Sequence, residues 1–283
     1  MFRKIPATSV IFKETKEKYK NLYNDFMDFS AFETKNLGRA RNSKSNRAGS
    51  YANYLIRLIV FYQEKHPYEY STFTTYEEFL KLKSTILNSE FNQYNIEENR
   101  FPNAALNTFE RFIEFKVNNK NDDQIELDYN MEQIEFDENK SPFIVKENTV
   151  TYETPRKSKI TYDEFSFYPR NLNESMSAKQ RSNWECEDNI NHKTFKSKSD
   201  NNQYMESHHL IPMSYQGLFE YTIDFADNII CLCPTCHRKI HYSTDDIKKE
   251  MIQKFFNKRK HLYPKYGIEI EIHFLLKMYN IEL

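Results

Sequence analysis

Cysteine and histidine crowd into one short stretch of this chain. Cys186, Cys231, Cys233 and Cys236 all fall in the last hundred residues, and five of the eight histidines fall between positions 192 and 241. A disulfide framework spreads its cysteines through a small secreted domain. This crowding instead leaves two readings, a redox pair and a metal site. Cys233-Pro-Thr-Cys236 is a C-x2-C knuckle. As a redox pair it would need a thioredoxin-like βαβ context, which the sequence does not display. As half of a zinc site it needs a second ligand pair. Cys186 and His192, spaced C-x5-H, can supply that pair. Cys231 sits in the apolar run Ile229-Ile230-Cys231-Leu232 and reads as a buried core residue.

A second ligand set overlaps the first. His237 and His241 are spaced i, i+4, which puts both imidazoles on one face of a helix. His208 and His209 are adjacent in an extended segment, so they point to opposite sides. One can bind metal while the other faces a substrate. A zinc ribbon alone would have no use for this extra pair.

The residues His208-His209-Leu210-Ile211-Pro212, then Asn228, then Cys233-x2-Cys236-His237-x3-His241 resemble the HNH (ββα-metal) endonucleases. The flanking Trp184–Phe195 segment resembles the zinc-stabilised, McrA-like restriction branch of that family, and the resemblance covers about residues 165–283. It implies a role for each matching residue. His209 corresponds to the general base that activates water, and His208 to the preceding metal ligand, which is Asp in many relatives. Asn228 corresponds to the residue that holds the connecting loop and so positions the base. His237 corresponds to a metal ligand, and His241 to a further ligand or a phosphate contact. Cys186, His192, Cys233 and Cys236 would bind one structural zinc. Many relatives have a second Cys where this chain has Asn189, and His192 is the substitute.

The implied activity is hydrolysis of phosphodiester bonds in double-stranded DNA, leaving 5′-phosphate and 3′-hydroxyl ends, in restriction or phage defence. A modification-dependent (type IV) endonuclease and a non-catalytic zinc-ribbon DNA-binding protein are the alternatives. One catalytic divalent ion is implied, drawn from Mg, Mn, Ni, Co or Zn, and an all-imidazole set favours the borderline metals over Mg.

The remainder of the chain sets the frame. Its 283 residues suit two domains of ordinary size, and 16% aromatic residues can fill their cores. The expected fold class is α+β: a mainly helical N-terminal domain over 1–120, which can serve DNA recognition or targeting, an acidic segment and linker over 121–160, and a C-terminal HNH domain with its zinc knuckle over 161–283. Helices are predicted over 11–33, 51–66, 74–88, 102–117, 177–184 and 245–263, and a strand-like run followed by a short helix over 268–281. The acid-rich stretch 121–147 reads as a solvated linker. Mean hydropathy is −0.82, no apolar run reaches membrane-spanning length, and the first residues lack a signal-peptide core. The expectation is a cytoplasmic protein with no membrane partner. Net charge is −1, so only local basic residues bear on DNA contact. These are Arg238 and Lys239 between the helix histidines, Arg181, and Arg39 and Arg41 in a basic loop. A symmetric double-strand cut is easiest for a homodimer, whose interface the sequence does not show.

Overall fold

The computed structural model describes residues 2–37, 46–117, 129–130, 144–162, 165–198 and 200–281. The chain divides into two compact units, Met1–Val117 and Asn118–Leu283. Arg39 and Arg41 lie outside the described residues, as does most of the acidic stretch 121–147.

The first unit is helical: α1 (Val10–Lys18), α2 (Lys20–Asn36), α3 (Arg47–Lys65), α4 (Tyr76–Ile86), α5 (Ser89–Glu97) and α6 (Phe101–Val117). Helix α3 is the hub and packs against α1, α2, α4 and α6. Its apolar side, Ala52, Leu55, Ile56 and Ile59, is fully buried, as helical spacing requires. Phe26, Phe79, Phe109 and Phe112 interlock beside it, with edge-on pairs such as Phe26–Phe109 at 5.4 Å. The single helix expected over 11–33 is two, because Tyr19 departs from helical geometry (φ −108°, ψ 31°). Helix α5 was not anticipated. Its nine residues gain their start from the Asn88 side chain, which accepts from the Phe91 amide.

The second unit is mixed. Strands β1 (Ile144–Val145) and β4 (Arg170–Asn171) pair in parallel, and β2 (Ile160–Tyr162) pairs antiparallel with β3 (Phe165–Phe167). Helix α7 (Leu172–Arg181) follows, started by the Asn171 side chain, earlier than the predicted 177–184. Strand β5 (Glu206–His209) pairs antiparallel with β6 (Ile229–Leu232), in a register that sets Glu206 opposite Leu232 and His209 opposite Ile229. Helix α8 (Pro234–Tyr242) starts one residue after β6, with Pro234 in its first turn, where a missing amide costs nothing. Helix α9 (Asp245–Arg259) packs on α8 and buries Met251, Ile252, Phe255 and Phe256.

The chain then turns at Gly267 (φ +68°) into α10 (Ile272–Met278). The strand-like reading of 268–271 is corrected: no strand pairs there among the described residues, and Ile268 buries alone while Glu269 and Glu271 stay exposed. No helix among the described residues is long and apolar enough to cross a membrane.

Thr75 and Glu78 form a reciprocal capping box at the start of α4. Burial opposes ionisation of Glu78, but the Thr72 and Thr74 amides and the Ser71 and Thr72 hydroxyls outweigh it and hold its pKa down to about 2. Because the folded value is the lower one, this contribution is complete above the unfolded carboxylate range and fades as pH falls toward 2. Glu78→Gln is therefore expected to lower the melting temperature of the full chain at pH 7. The gap to wild type should narrow on acidification, as followed by far-UV circular dichroism.

Candidate functional site

Strand β5 sorts its side chains by alternation. Glu206 and His208 face one side, and Ser207 and His209 the other; all four residues are buried. On the first side, His208 meets His237 and His241 from α8. One ring nitrogen from each of the three lies within 4.8 Å of the others. The i, i+4 spacing works as expected: His237 Nε2 and His241 Nε2 stand 3.1 Å apart. Two nitrogens on one tetrahedral ion sit about 3.3 Å apart, given metal–nitrogen bonds of about 2.0–2.1 Å. The three imidazoles therefore fit a single divalent ion.

Two neighbours orient this trio. Glu206 Oε2 lies 2.7 Å from His237 Nδ1, which leaves Nε2 to face the cluster. Burial opposes ionisation of Glu206, but its hydrogen bond and charge interaction with His237 keep its pKa below the ordinary value. Tyr279, just past α10, places its hydroxyl 2.8 Å from His208 Nε2 and donates to the Leu210 carbonyl at 2.9 Å.

On the other side of β5, His209 Nε2 lies 2.9 Å from Asp224 Oδ1. The Asp224 carboxylate also accepts from the Asn171 amide at 2.5 Å, at the start of α7. Close by, Glu174 is fully buried and accepts from the Val150 and Ala226 amides. Burial, reinforced by the charge of Asp224, pushes its pKa up to about 7 despite those two bonds.

Asn228 holds the intervening loop. Its Oδ1 accepts from the Ile211 amide at 2.9 Å, and its Nδ2 donates to the carbonyls of Ile211 (3.1 Å) and Ile223 (2.8 Å). One buried side chain thus binds the segment leaving His209 to the segment entering Asp224. A backbone bond from the Leu210 amide to the Asn228 carbonyl closes the same ring at 2.8 Å.

Cys186, His192, Cys233 and Cys236 form a second cluster, also with donor atoms within 4.8 Å of one another. His192 Nδ1 is 3.3 Å from Cys236 Sγ and 3.7 Å from Cys233 Sγ. A tetrahedral zinc ion gives about 3.5 Å between a sulfur and a nitrogen ligand. Hydrogen bonding from Cys236 pulls the Cys186 thiol down to about 4, while that same bond pushes Cys236 up and burial pushes Cys233 up. A zinc ion bound there would hold all three sulfurs as thiolates. The donor set fits zinc. Cys231 is fully buried outside this cluster.

The basic residues divide. Arg238 is exposed on α8, and Lys239 lies 3.7 Å from Asp188. The Arg181 guanidinium donates to the Ala226 and Ile229 carbonyls at 2.8 Å each and pairs with Asp227 at 3.2 Å, which fastens α7 to the start of β6 and the turn before it. Sequence reasoning missed Glu206, Asp224 and Tyr279. A carboxylate two residues before His208, on the same strand face, was the only local signal; the other two reach the site from 15 and 71 residues away.

Comparison with known proteins bears on part of this unit. Residues 187–241 match the model of a family described as HNH endonuclease. A 58-residue stretch is 43% identical to the type IV methyl-directed restriction enzyme EcoKMcrA of Escherichia coli (strain K12), covering 20% of this chain and 18% of that protein. No solved structure matches the chain significantly. The likeness to the HNH endonucleases is thus confined to residues 187–241, and the chain spans about a fifth of the length of the curated relative it matches.

Asn228→Ala should destabilise the chain by about 2–4 kcal/mol, because buried backbone groups at Ile211 and Ile223 lose their partners at about 1–3 kcal/mol each. Denaturant titration measures this. A loss below about 0.5 kcal/mol, the range of ordinary surface substitutions, would contradict the clamp.

Proposed function

We propose that this protein is a metal-dependent DNA endonuclease acting in restriction. It would hydrolyse phosphodiester bonds in double-stranded DNA to 5′-phosphate and 3′-hydroxyl ends. The observation that carries the reading is the division of β5: His208 joins His237 and His241 in a trio sized for one ion, while His209 stands on the opposite side of the strand. A zinc-ribbon binding protein requires only the Cys186, His192, Cys233 and Cys236 cluster and leaves the trio unexplained.

In this reading His208, His237 and His241 would hold a divalent ion, which would supply charge neutralisation for phosphodiester hydrolysis. Glu206 and Tyr279 fix the rings that bind it. His209 accepts a proton from the attacking water, a step worth about 10²–10⁴ in rate for a well-placed imidazole. Asn228 keeps the loop after His209 in place. Arg238 and Lys239, which fall between His237 and His241 in the α8 sequence, contact the DNA backbone. Each such contact lowers the salt dependence of binding by about one unit of slope when removed. Cys186, His192, Cys233 and Cys236 hold a structural zinc that fixes the start of α8. The helical unit is assigned target recognition, and a homodimer would offer one site to each strand.

A second reading concerns the target. The matching relative is described as methyl-directed, which favours modified DNA as substrate here as well.

Plasmid cleavage by metal-stripped protein tests the main reading. Adding Mn, Ni, Co or Mg is expected to produce discrete fragments, and His209→Ala is expected to cut at least about 10²-fold more slowly while still binding DNA. Equal cutting by that variant would overturn the assignment of His209. Methylated and unmethylated plasmids run side by side decide the second reading.

Zinc analysis tests the other cluster. Cys186→Ser should lose one equivalent of zinc and unfold at lower temperature, whereas His237→Ala should retain that equivalent. Retention of full zinc by Cys186→Ser would contradict the ligand set.

A further inference from the structure

A single exposed apolar side chain is ordinary. Phe195 is set apart by what holds it. Its ring lies over Tyr204 with centroids 4.9 Å apart and planes 9° from parallel, and it stays 65% exposed while Tyr204 is buried. We propose that Phe195 is a base-stacking residue: its open face takes one unpaired nucleobase of a DNA strand drawn across the histidine trio. This rests on the nuclease reading above and names the form of DNA that the site engages.

The platform is fixed and is tied to the trio. The Tyr204 amide donates to the Phe195 carbonyl at 2.8 Å, the Thr194 hydroxyl donates to the Tyr204 carbonyl at 2.6 Å, and Lys196 bridges Gln203 in the antiparallel sense. His192, of the cysteine-rich cluster, anchors this segment three residues before Phe195. The Tyr204 hydroxyl donates to Glu206 Oε1 at 3.2 Å, and Glu206 Oε2 lies 2.7 Å from His237 Nδ1. The ring beneath Phe195 is thus joined to a member of the trio through one carboxylate. A base seated on Phe195 has a set position relative to the three imidazoles.

Charge and the number of free ring faces identify the occupant. Lys196 and Lys198 are exposed and make no ion pair among the described residues. The same holds for Arg238, whose charge acts on the Tyr204 hydroxyl and on Glu206. The neighbouring acids in the sequence are engaged: Asp200 accepts from the Asn202 amide and side chain, and Glu185 lies 3.9 Å from Lys193. A ring among uncompensated cations suits a polyanion that carries π-faces, which is a nucleic-acid strand. Tyr204 covers one face of Phe195, so a single face remains. Wedging between two stacked bases uses both faces of a ring. One face receives one base, and that base must first leave its stack.

The test uses full-length, zinc-purified protein with no catalytic metal added. The probes are a fluorescein-labelled single strand of mixed sequence, the matching closed duplex, and that duplex with a central unpaired bubble. Fluorescence anisotropy should show the wild type binding the bubble more tightly than the closed duplex. Phe195→Ala should bind the single strand about 5- to 150-fold more weakly, the worth of one base stacked on an aromatic ring. Phe195→Trp should bind at least as tightly as the wild type. Phe195→Leu keeps apolar cover over Tyr204 but has no π-face, and should resemble Phe195→Ala. No charge is lost in Phe195→Ala, so its salt slope should stay at the wild-type value, whereas Lys196→Ala should lower the single-strand slope by about 0.7. Wild-type affinity in Phe195→Ala or in Phe195→Leu would overturn the proposal, as would tighter binding of the closed duplex than of the bubble. So would a loss of affinity in Phe195→Ala matched by a fall in melting temperature or in zinc content, which is what a structural role of the Phe195–Tyr204 pair gives.

Cleavage is followed separately, with Mn added. A preference for the bubble that disappears in Phe195→Ala, in a protein that cuts no substrate, would count against the nuclease reading alone. Cutting by the wild type, with Phe195→Ala equal to it in single-strand affinity, would count against the stacking proposal alone.

Discussion

The antiparallel pairing of Glu206–His209 with Ile229–Leu232 is the constraint on which the rest of the second unit depends. A strand presents successive side chains to opposite faces, so two adjacent histidines cannot share a task while the register holds. A slip by one residue would move His208 away from His237 and His241 and bring His209 toward them. The register is pinned at both ends. Asn228 bonds the backbone on either side of the loop, and Cys231, opposite Ser207, donates its amide to Glu187. Buried hydrogen bonds of this kind are costly to leave unmade, so they specify one arrangement more than they add net stability.

The two clusters are tied together through α8. Cys233 is at once a candidate zinc ligand and the residue that caps this helix, its sulfur accepting from the Cys236 amide at 3.4 Å. His237 follows one residue after Cys236. An ion that fixes the knuckle therefore also fixes the start of the helix carrying two of the three imidazoles. Asp188 extends the tie: it accepts from Lys254 on α9 at 2.8 Å. Glu187, its neighbour, pairs with Arg181 on α7 and Arg259 on α9. The short segment between Cys186 and His192 thus anchors two helices as well as supplying two donors.

How far the sequence could be read follows from the range of each interaction. Local rules located α3, α4 and α6, because apolar spacing acts within a few residues. The grouping of Cys186 with Cys233 and of His208 with His237 was legible because metal ligands carry distinctive chemistry at characteristic spacing. Asp224 and Tyr279 were not legible, since an Asp or a Tyr has too many ordinary uses and only the tertiary fold brings them to the histidines. Arg181 has a use that the sequence does not display: besides its charge, it donates to the carbonyls of Ala226 and Ile229. The alternation Ile268-Glu269-Ile270-Glu271 resembles a strand, yet alternation needs a partner edge and none of the described residues offers one there.

Anomalous X-ray diffraction tests the central claim that two metal centres with separate duties stand side by side. Crystals of zinc-purified protein soaked in manganese would be measured on both sides of the zinc edge. The account predicts zinc at about 2.3 Å from the sulfurs of Cys186, Cys233 and Cys236, and a second, exchangeable ion at about 2.0–2.2 Å from the nitrogens of His208, His237 and His241. Zinc at the cysteines with no ion at the imidazoles at any manganese concentration would contradict it.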